Sequence, residues 1–148
     1  MDLDDVTKPI DLSLFDATDI VFMALVLWRE ARGESNEGKI AVAHCIMNRV
    51  YHPKWWGKCV TDVLFKKWQF SSITDPHDKQ LTAWPLSTSA VWQTCLSIAK
   101  RVINDELPNP VPGADSYFDI SILSPDWATS KTFVKQIGRL KFYNTDAK

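Results

Sequence analysis

Ile20-Val-Phe-Met-Ala-Leu-Val-Leu-Trp28, followed by Arg29-Glu30-Ala31-Arg32-Gly33-Glu34, decides how this chain folds. The first part is apolar on every face yet too short to span a bilayer, so it predicts a helix buried in a domain core. Glu30 stands where that helix runs out. Low-dielectric surroundings disfavour a charged carboxylate and raise its pKa. The negative end of the helix dipole pushes the same way, while Arg29 and Arg32 oppose both if they point at the carboxylate. A carboxyl held partly protonated near neutral pH is what a general acid requires.

Working outward, Gly33 ends this helix and Ser35 caps a second, from Asn36 to about Tyr51, with Gly38 placed to let another backbone come close. Glu34 precedes that second helix, faces its positive end and is expected to stay ionised and order the turn. Upstream, residues to about Phe15 read as an irregular arm, with Asp16 or Thr18 as the first cap. Downstream, Pro53-Lys54-Trp55-Trp56-Gly57 reads as a loop, and Thr61 caps a short helix to about Lys67. Residues 72–86 read as loop, and Ser87 caps a long helix reaching Asp105. Short β character follows at 114–118, 132–137 and 140–143, with Gly138-Arg139 as the turn between the last two. The expected class is mainly α (α+β), one domain over residues 1–148 with a small C-terminal β element.

With 17 basic and 18 acidic residues there is no field of one sign to steer nucleic acid or anionic lipid. No nucleic-acid partner and no membrane insertion are therefore expected, and a monomer is. Cys45, Cys59 and Cys95 show no Cys-x-x-Cys pair, so buried free thiols are expected rather than a disulfide framework or zinc site. His44, His52 and His77 lack His-Glu-x-x-His spacing; His77 reads as part of a solvated turn. No metal and no cofactor are called for. Seven tryptophans are many for a chain of 148 residues. Most are expected to pack, whereas Trp55, Trp56 and Trp68 lie beside loops and are candidates to stack on sugar rings.

Four segments together resemble a known family. Glu30-Ala-Arg-Gly-Glu34 with Glu37-Gly-Lys-Ile-Ala-Val-Ala43 and Asn48-Arg49-Val50 resembles the signature of SleB-type cell-wall hydrolases, which include spore-cortex lytic enzymes and phage proteins. Cys59 with Val63 and Gln69-Phe70-Ser71 looks like the next block. Ala114, Tyr117, Ser124-Pro125 and Trp127-Ala128 look like the third, and Ile137-Gly138 with Phe142-Tyr143 like the last. The resemblance runs from about Asp19 to Tyr143. It implies a lysozyme-like domain that cuts the glycan strands of bacterial peptidoglycan, with Glu30 as the acid. Substrate-binding candidates are Glu34, Trp68, Gln69, Phe70, Ser71 and Tyr117, although for Glu34 a structural part in the turn is the stronger reading. Many relatives carry Thr-His-Tyr where this chain has Asp115-Ser116-Tyr117, and a histidine where it has Leu140. If those histidines help bind substrate, this chain binds differently or more weakly.

No second carboxylate is evidently placed opposite Glu30, and a single acid suits a lytic transglycosylase that cuts between N-acetylmuramic acid and N-acetylglucosamine. The alternatives are a lysozyme-type muramidase at the same bond, a peptidoglycan amidase or peptidase, and a glycan-binding module without turnover. The acidic start lacks a signal-peptide layout. The expectation is therefore a phage lysis protein held in the host cytoplasm before release to the wall, or a virion-associated hydrolase.

Overall fold

The computed structural model describes residues 13–146. Helix α1 (Ser13–Ala31) leads into α2 (Asn36–Tyr51), the short α3 (Val60–Leu64) and α4 (Ser71–Thr74), a 3-10 turn (Lys79–Thr82) and α5 (Ala90–Ile103). Three strands follow: β1 (Ser116–Asp119), β2 (Phe133–Ile137) and β3 (Leu140–Tyr143). They form an antiparallel sheet in the order β1-β3-β2, with Tyr117 opposite Phe142 and Ile137 opposite Leu140. Gly138-Arg139 is the hairpin turn, as the sequence predicts.

Helix α1 is the centre of the molecule. Met23, Ala24, Val26 and Leu27 are wholly inaccessible and Leu25 nearly so, which is the all-round burial its composition predicts. It packs against α2, α3, α4 and α5. One hydrophobic cluster joins it to Val42 and Ile46 of α2, Cys95 and Ala99 of α5, and Leu140 and Phe142 of the sheet. Among the described residues no helix is long and apolar enough to cross a membrane.

Ser35 caps α2 as expected, its hydroxyl accepting from the Gly38 N–H at 3.1 Å. Several boundaries differ from expectation. Asp16 and Thr18 lie within α1 rather than at its cap; residues 13–15 of the expected arm are helical, and the rest of the arm lies outside the described residues. Helix α3 starts after Cys59, not Thr61, and stops at Leu64. Ser89 rather than Ser87 caps α5. The expected loop over 72–86 contains most of α4 and the 3-10 turn, both too short to show a helical period in sequence. At Gly38 the close neighbours are side chains rather than another backbone: a Cβ there would lie 3.1 Å from the Glu34 side chain and 3.6 Å from the Ser35 hydroxyl.

Cys45 and Cys95 are buried free thiols, and burial pushes Cys45 up to about 12. Cys59 is exposed, contrary to the expectation of burial, because it sits at the outer end of α3 with its Sγ 3.5 Å from the Thr61 hydroxyl.

Candidate active site

Glu30 occupies the last turn of α1 and is half-buried. Its two oxygens are held from opposite sides of the fold. The Tyr117 hydroxyl, on β1, donates to Oε1 at 2.6 Å, and the Ser72 hydroxyl, on α4, donates to Oε2 at 2.6 Å. Burial raises the Glu30 pKa above its ordinary value; the Ser72 and Tyr117 hydrogen bonds and the charge of Arg49 oppose the rise, and the charge of Asp78 adds to it. Tyr117 is itself raised, by burial and by the neighbouring Glu30.

The arginines beside Glu30 in sequence do not neutralise it. Arg29 is buried and turns away to donate to the carbonyls of Ser72 (2.8 Å), Leu81 (3.0 Å) and Ala83 (3.1 Å), with its guanidinium also over the Trp84 ring. Arg32 donates to the Trp28 carbonyl and to Gln80. Arg29 thus ties residues 72–83 to α1, and that tie brings the Ser72 hydroxyl up to the acid.

Asn48 and Arg49, at the end of α2, do the same for the sheet. Asn48 donates to the carbonyls of Val111 and Ala114, and Arg49 Nε to the carbonyl of Asp115 at 2.6 Å. Asp115 accepts in turn from Ser116 and Thr145. These bonds hold the chain just before Tyr117. An Asn-Arg pair in a helix is unremarkable in sequence; its value lies in reaching carbonyls that folding leaves unpaired.

A cleft of about 480 Å³ opens over Glu30. Of the expected site residues, Glu30, Trp68, Gln69, Phe70, Ser71 and Tyr117 line it. Phe70 is buried and shapes the floor, whereas Trp68 is 72 % exposed at the rim. Gln69 accepts from Arg49 Nη1 at 3.3 Å, which leaves its amide N–H groups for a ligand, and the Ser71 hydroxyl donates to Asp78 at 2.7 Å. Ser116 and Leu140, where the family resemblance implies histidine, also line the cleft.

Glu34 is not among the lining residues. Its carboxylate accepts from the Arg139 backbone N–H at 3.2 Å and so braces the β2–β3 turn against the start of α2. Of the three loop tryptophans only Trp68 reaches the cleft. Trp56 is buried, its indole N–H donating to the Arg49 carbonyl, and Trp55 lies on another groove. Trp127, edge-on to Phe118 and Tyr143, lines the cleft in their place.

Sequence reasoning missed Ser72, which directly follows Gln69-Phe70-Ser71, and Asp119. Asp119 is a second carboxylate that lines the same cleft as Glu30. Its pKa is lowered, chiefly by the Ser121 backbone N–H and further by Arg139 at 3.3 Å. Nothing in its surrounding sequence, Phe118-Asp119-Ile120, marks it out. Among the described residues no group of three His, Cys, Asp or Glu side chains is placed to hold a metal, and His77 sits in a turn closed on Asp75.

The pattern of the family described as cell wall hydrolase matches residues 33–143. The chain belongs to that family. Glu30 stands just before the matched segment, so its role is argued from geometry. The spore cortex-lytic enzyme of Halalkalibacterium halodurans is 30 % identical over 132 residues, covering 88 % of this chain and 36 % of that protein. The Bacillus subtilis spore cortex-lytic enzyme is 27 % identical over 127 residues, covering 84 % and 37 %. This chain therefore spans little more than a third of the length of these curated relatives. Among solved structures it resembles the catalytic domain of the germination-specific lytic transglycosylase SleB from Bacillus anthracis, with a TM-score of 0.66 and 28 % identity over 84 % of this chain and 93 % of that one. The catalytic domain of the Bacillus cereus SleB protein is similar to it with a TM-score of 0.65, 28 % identity and coverage of 84 % and 88 %. The fold is that of these SleB catalytic domains, mostly helical and lysozyme-like.

Proposed function

We propose that this chain cleaves peptidoglycan between N-acetylmuramic acid and N-acetylglucosamine as a lytic transglycosylase, with Glu30 as its acid and base. The observation that carries the reading is one half-buried carboxyl with a raised pKa, at the base of a cleft of ligand size. Likeness to a catalytic domain described as a lytic transglycosylase supports the same reaction.

In the proposed reaction the protonated Glu30 gives its proton to the glycosidic oxygen as the bond to C1 of muramic acid breaks. Glu30, now a carboxylate, takes the proton of the 6-hydroxyl of the same sugar, and O6 closes on C1. The product is a 1,6-anhydro end, no water is consumed, and Glu30 regains its proton. Ser72 and Tyr117 suit both halves, because burial favours the neutral acid and the two hydroxyls steady the carboxylate once formed. Trp68 and Trp127 offer faces for sugar rings, and the free amide N–H groups of Gln69 offer donors to an N-acetyl carbonyl.

Asp119 favours a second reading. Two carboxyls in one cleft, one raised and the other lowered, are the pattern of a paired acid and base, which would make the enzyme a hydrolysing muramidase at the same bond. Mass spectrometry of products from purified sacculi separates the two. Anhydro-muramic ends, lighter by one water, support the transglycosylase; reducing muramic ends support the muramidase. Cleavage between muramic acid and the stem peptide removes both. The setting expected from the sequence, host lysis or wall penetration by a phage, is tested by producing the chain inside a bacterium with and without a membrane-permeabilising partner. Lysis that depends on the partner supports it, and failure to lyse with the partner counts against it.

A further inference from the structure

Residues 54–68 hold four lysines against one aspartate, in a chain whose net charge is −1. Part of this segment forms an open groove of about 570 Å³, separate from the cleft, whose walls include Trp55, Trp56, Phe65, Lys66 and Lys67. Trp56 is buried and anchored to the Arg49 carbonyl, and Trp55 packs edge-on against it at 5.3 Å while staying 59 % exposed. Phe65 is tied edge-on to Phe22 of α1 at 5.0 Å. The groove is thus braced by the core.

Among the described residues most of its charge is left unpaired by carboxylates. Lys54 pairs with Asp146, but no carboxylate among the described residues pairs with Lys58, Lys66 or Lys67. The one acid in the groove, Asp62, faces the Lys58 backbone N–H at 3.5 Å. Trp68 directly follows Lys67, the last residue of the groove wall. It lines the cleft, carries the Lys67 ammonium 5.0 Å over its ring, and holds φ at +70°. A bulky residue keeps that backbone conformation only where its surroundings impose it.

We propose that this groove is an auxiliary wall-binding subsite for the carboxylate-bearing stem peptides of a glycan strand that continues out of the cleft over Trp68. The inference rests on peptidoglycan being the substrate. Stem peptides hang from muramic acid and carry free carboxylates, which the exposed lysines attract. Their aliphatic parts suit the faces of Trp55 and Phe65. The charge match, with Lys67 of the groove lying against Trp68 of the cleft, selects this occupant over a lipid surface. Trp55 is also packed edge-on against the buried Trp56, which fixes its ring beside the lysines.

The test uses the Glu30→Gln background, so that binding is read without cleavage. Pull-down by purified sacculi is compared with pull-down by glycan strands stripped of stem peptides. Tighter binding to intact sacculi is expected, with the difference shrinking as salt rises. Adding Lys66→Ser and Lys67→Ser together should weaken binding to intact sacculi about threefold to tenfold, the scale of two exposed charge contacts. The loss on stripped strands should be smaller, and Trp55→Ala should show the same substrate selectivity. Equal losses on both substrates, or no loss on sacculi, overturns the proposal. So does binding to phosphatidylglycerol vesicles that the double lysine variant loses while keeping its hold on sacculi. Failure of the Glu30-bearing chain to release any product from sacculi would end the glycosidase reading instead, since peptide-dependent binding is measured apart from turnover.

Discussion

Glu30 combines two demands that conflict. It must be buried enough to keep a proton and open enough to meet a glycosidic oxygen. Glu30→Gln keeps the shape and removes the proton, so wall lysis should fall by at least about a hundredfold to ten-thousandfold. A folded variant lysing sacculi at more than roughly a tenth of the original rate rules Glu30 out as the acid. The same substitution should raise the melting temperature. Because the folded-state pKa lies above the ordinary 4.5, the stability linked to the neutral acid is fully present below that value. It is lost as pH rises through the raised folded pKa. The amide has no such loss, so its advantage should grow from acidic to neutral pH in parallel melting curves, and an advantage independent of pH would contradict this assignment. Ser72→Ala acts on the same balance. Its hydroxyl lowers the Glu30 pKa, so its removal should reduce turnover and move the alkaline limb of the pH–rate profile upward. An unmoved or downward-shifted limb would show that Ser72 does not tune the acid.

Among the elements, the β2–β3 turn and residues 72–83 carry the clearest tests. Gly138 holds φ at +57°, and a Cβ there would meet Glu34 Oε2 at 2.8 Å. Gly138→Ala should therefore cost about 1–3 kcal/mol in urea unfolding. Glu34→Gln should cost only roughly 0.3–1 kcal/mol, as expected for a charge near a helix N-terminus, and keep its lytic activity. Glu34→Gln inactive at an unchanged melting temperature would make Glu34 a catalytic carboxylate. Arg29 is the larger structural commitment. Arg29→Met leaves the carbonyls of Ser72, Leu81 and Ala83 without their donor and should cost about 2–4 kcal/mol. Amide hydrogen exchange should rise first across 72–83, and unchanged protection there would show that the clamp does not hold that segment.

For the whole molecule, the cluster that joins α1, α2, α5 and the sheet predicts one cooperative transition. Tryptophan fluorescence and far-ultraviolet circular dichroism should melt at the same temperature, and separate midpoints would show independent units. The catalytic consequence of this assembly lies in where the site's parts originate. The acid comes from the first helix, Ser72 from a single turn of helix and Tyr117 from the first strand. Asp119→Asn probes the assembled cleft: under the transglycosylase reading the anhydro product persists, whereas a muramidase loses most of its turnover.

The sequence by itself determined the buried first helix, the Ser35 cap, the β hairpin about Gly138 and the position of Glu30. Each depends on local pattern: an unbroken apolar run, a capping side chain, a residue permissive of positive φ, a carboxyl at a helix end. Tertiary structure alone decided that Arg29 turns to backbone carbonyls, that Ser72 and Tyr117 grip the acid, that Trp56 is buried and that Asp119 shares the cleft. Those outcomes depend on which distant groups meet once the chain has closed, Ser72 at 42 and Tyr117 at 87 residues from Glu30. Hydrogen bonds across such separations leave no periodicity in the sequence. They are chosen by which buried donors and acceptors still lack partners after the apolar core has packed.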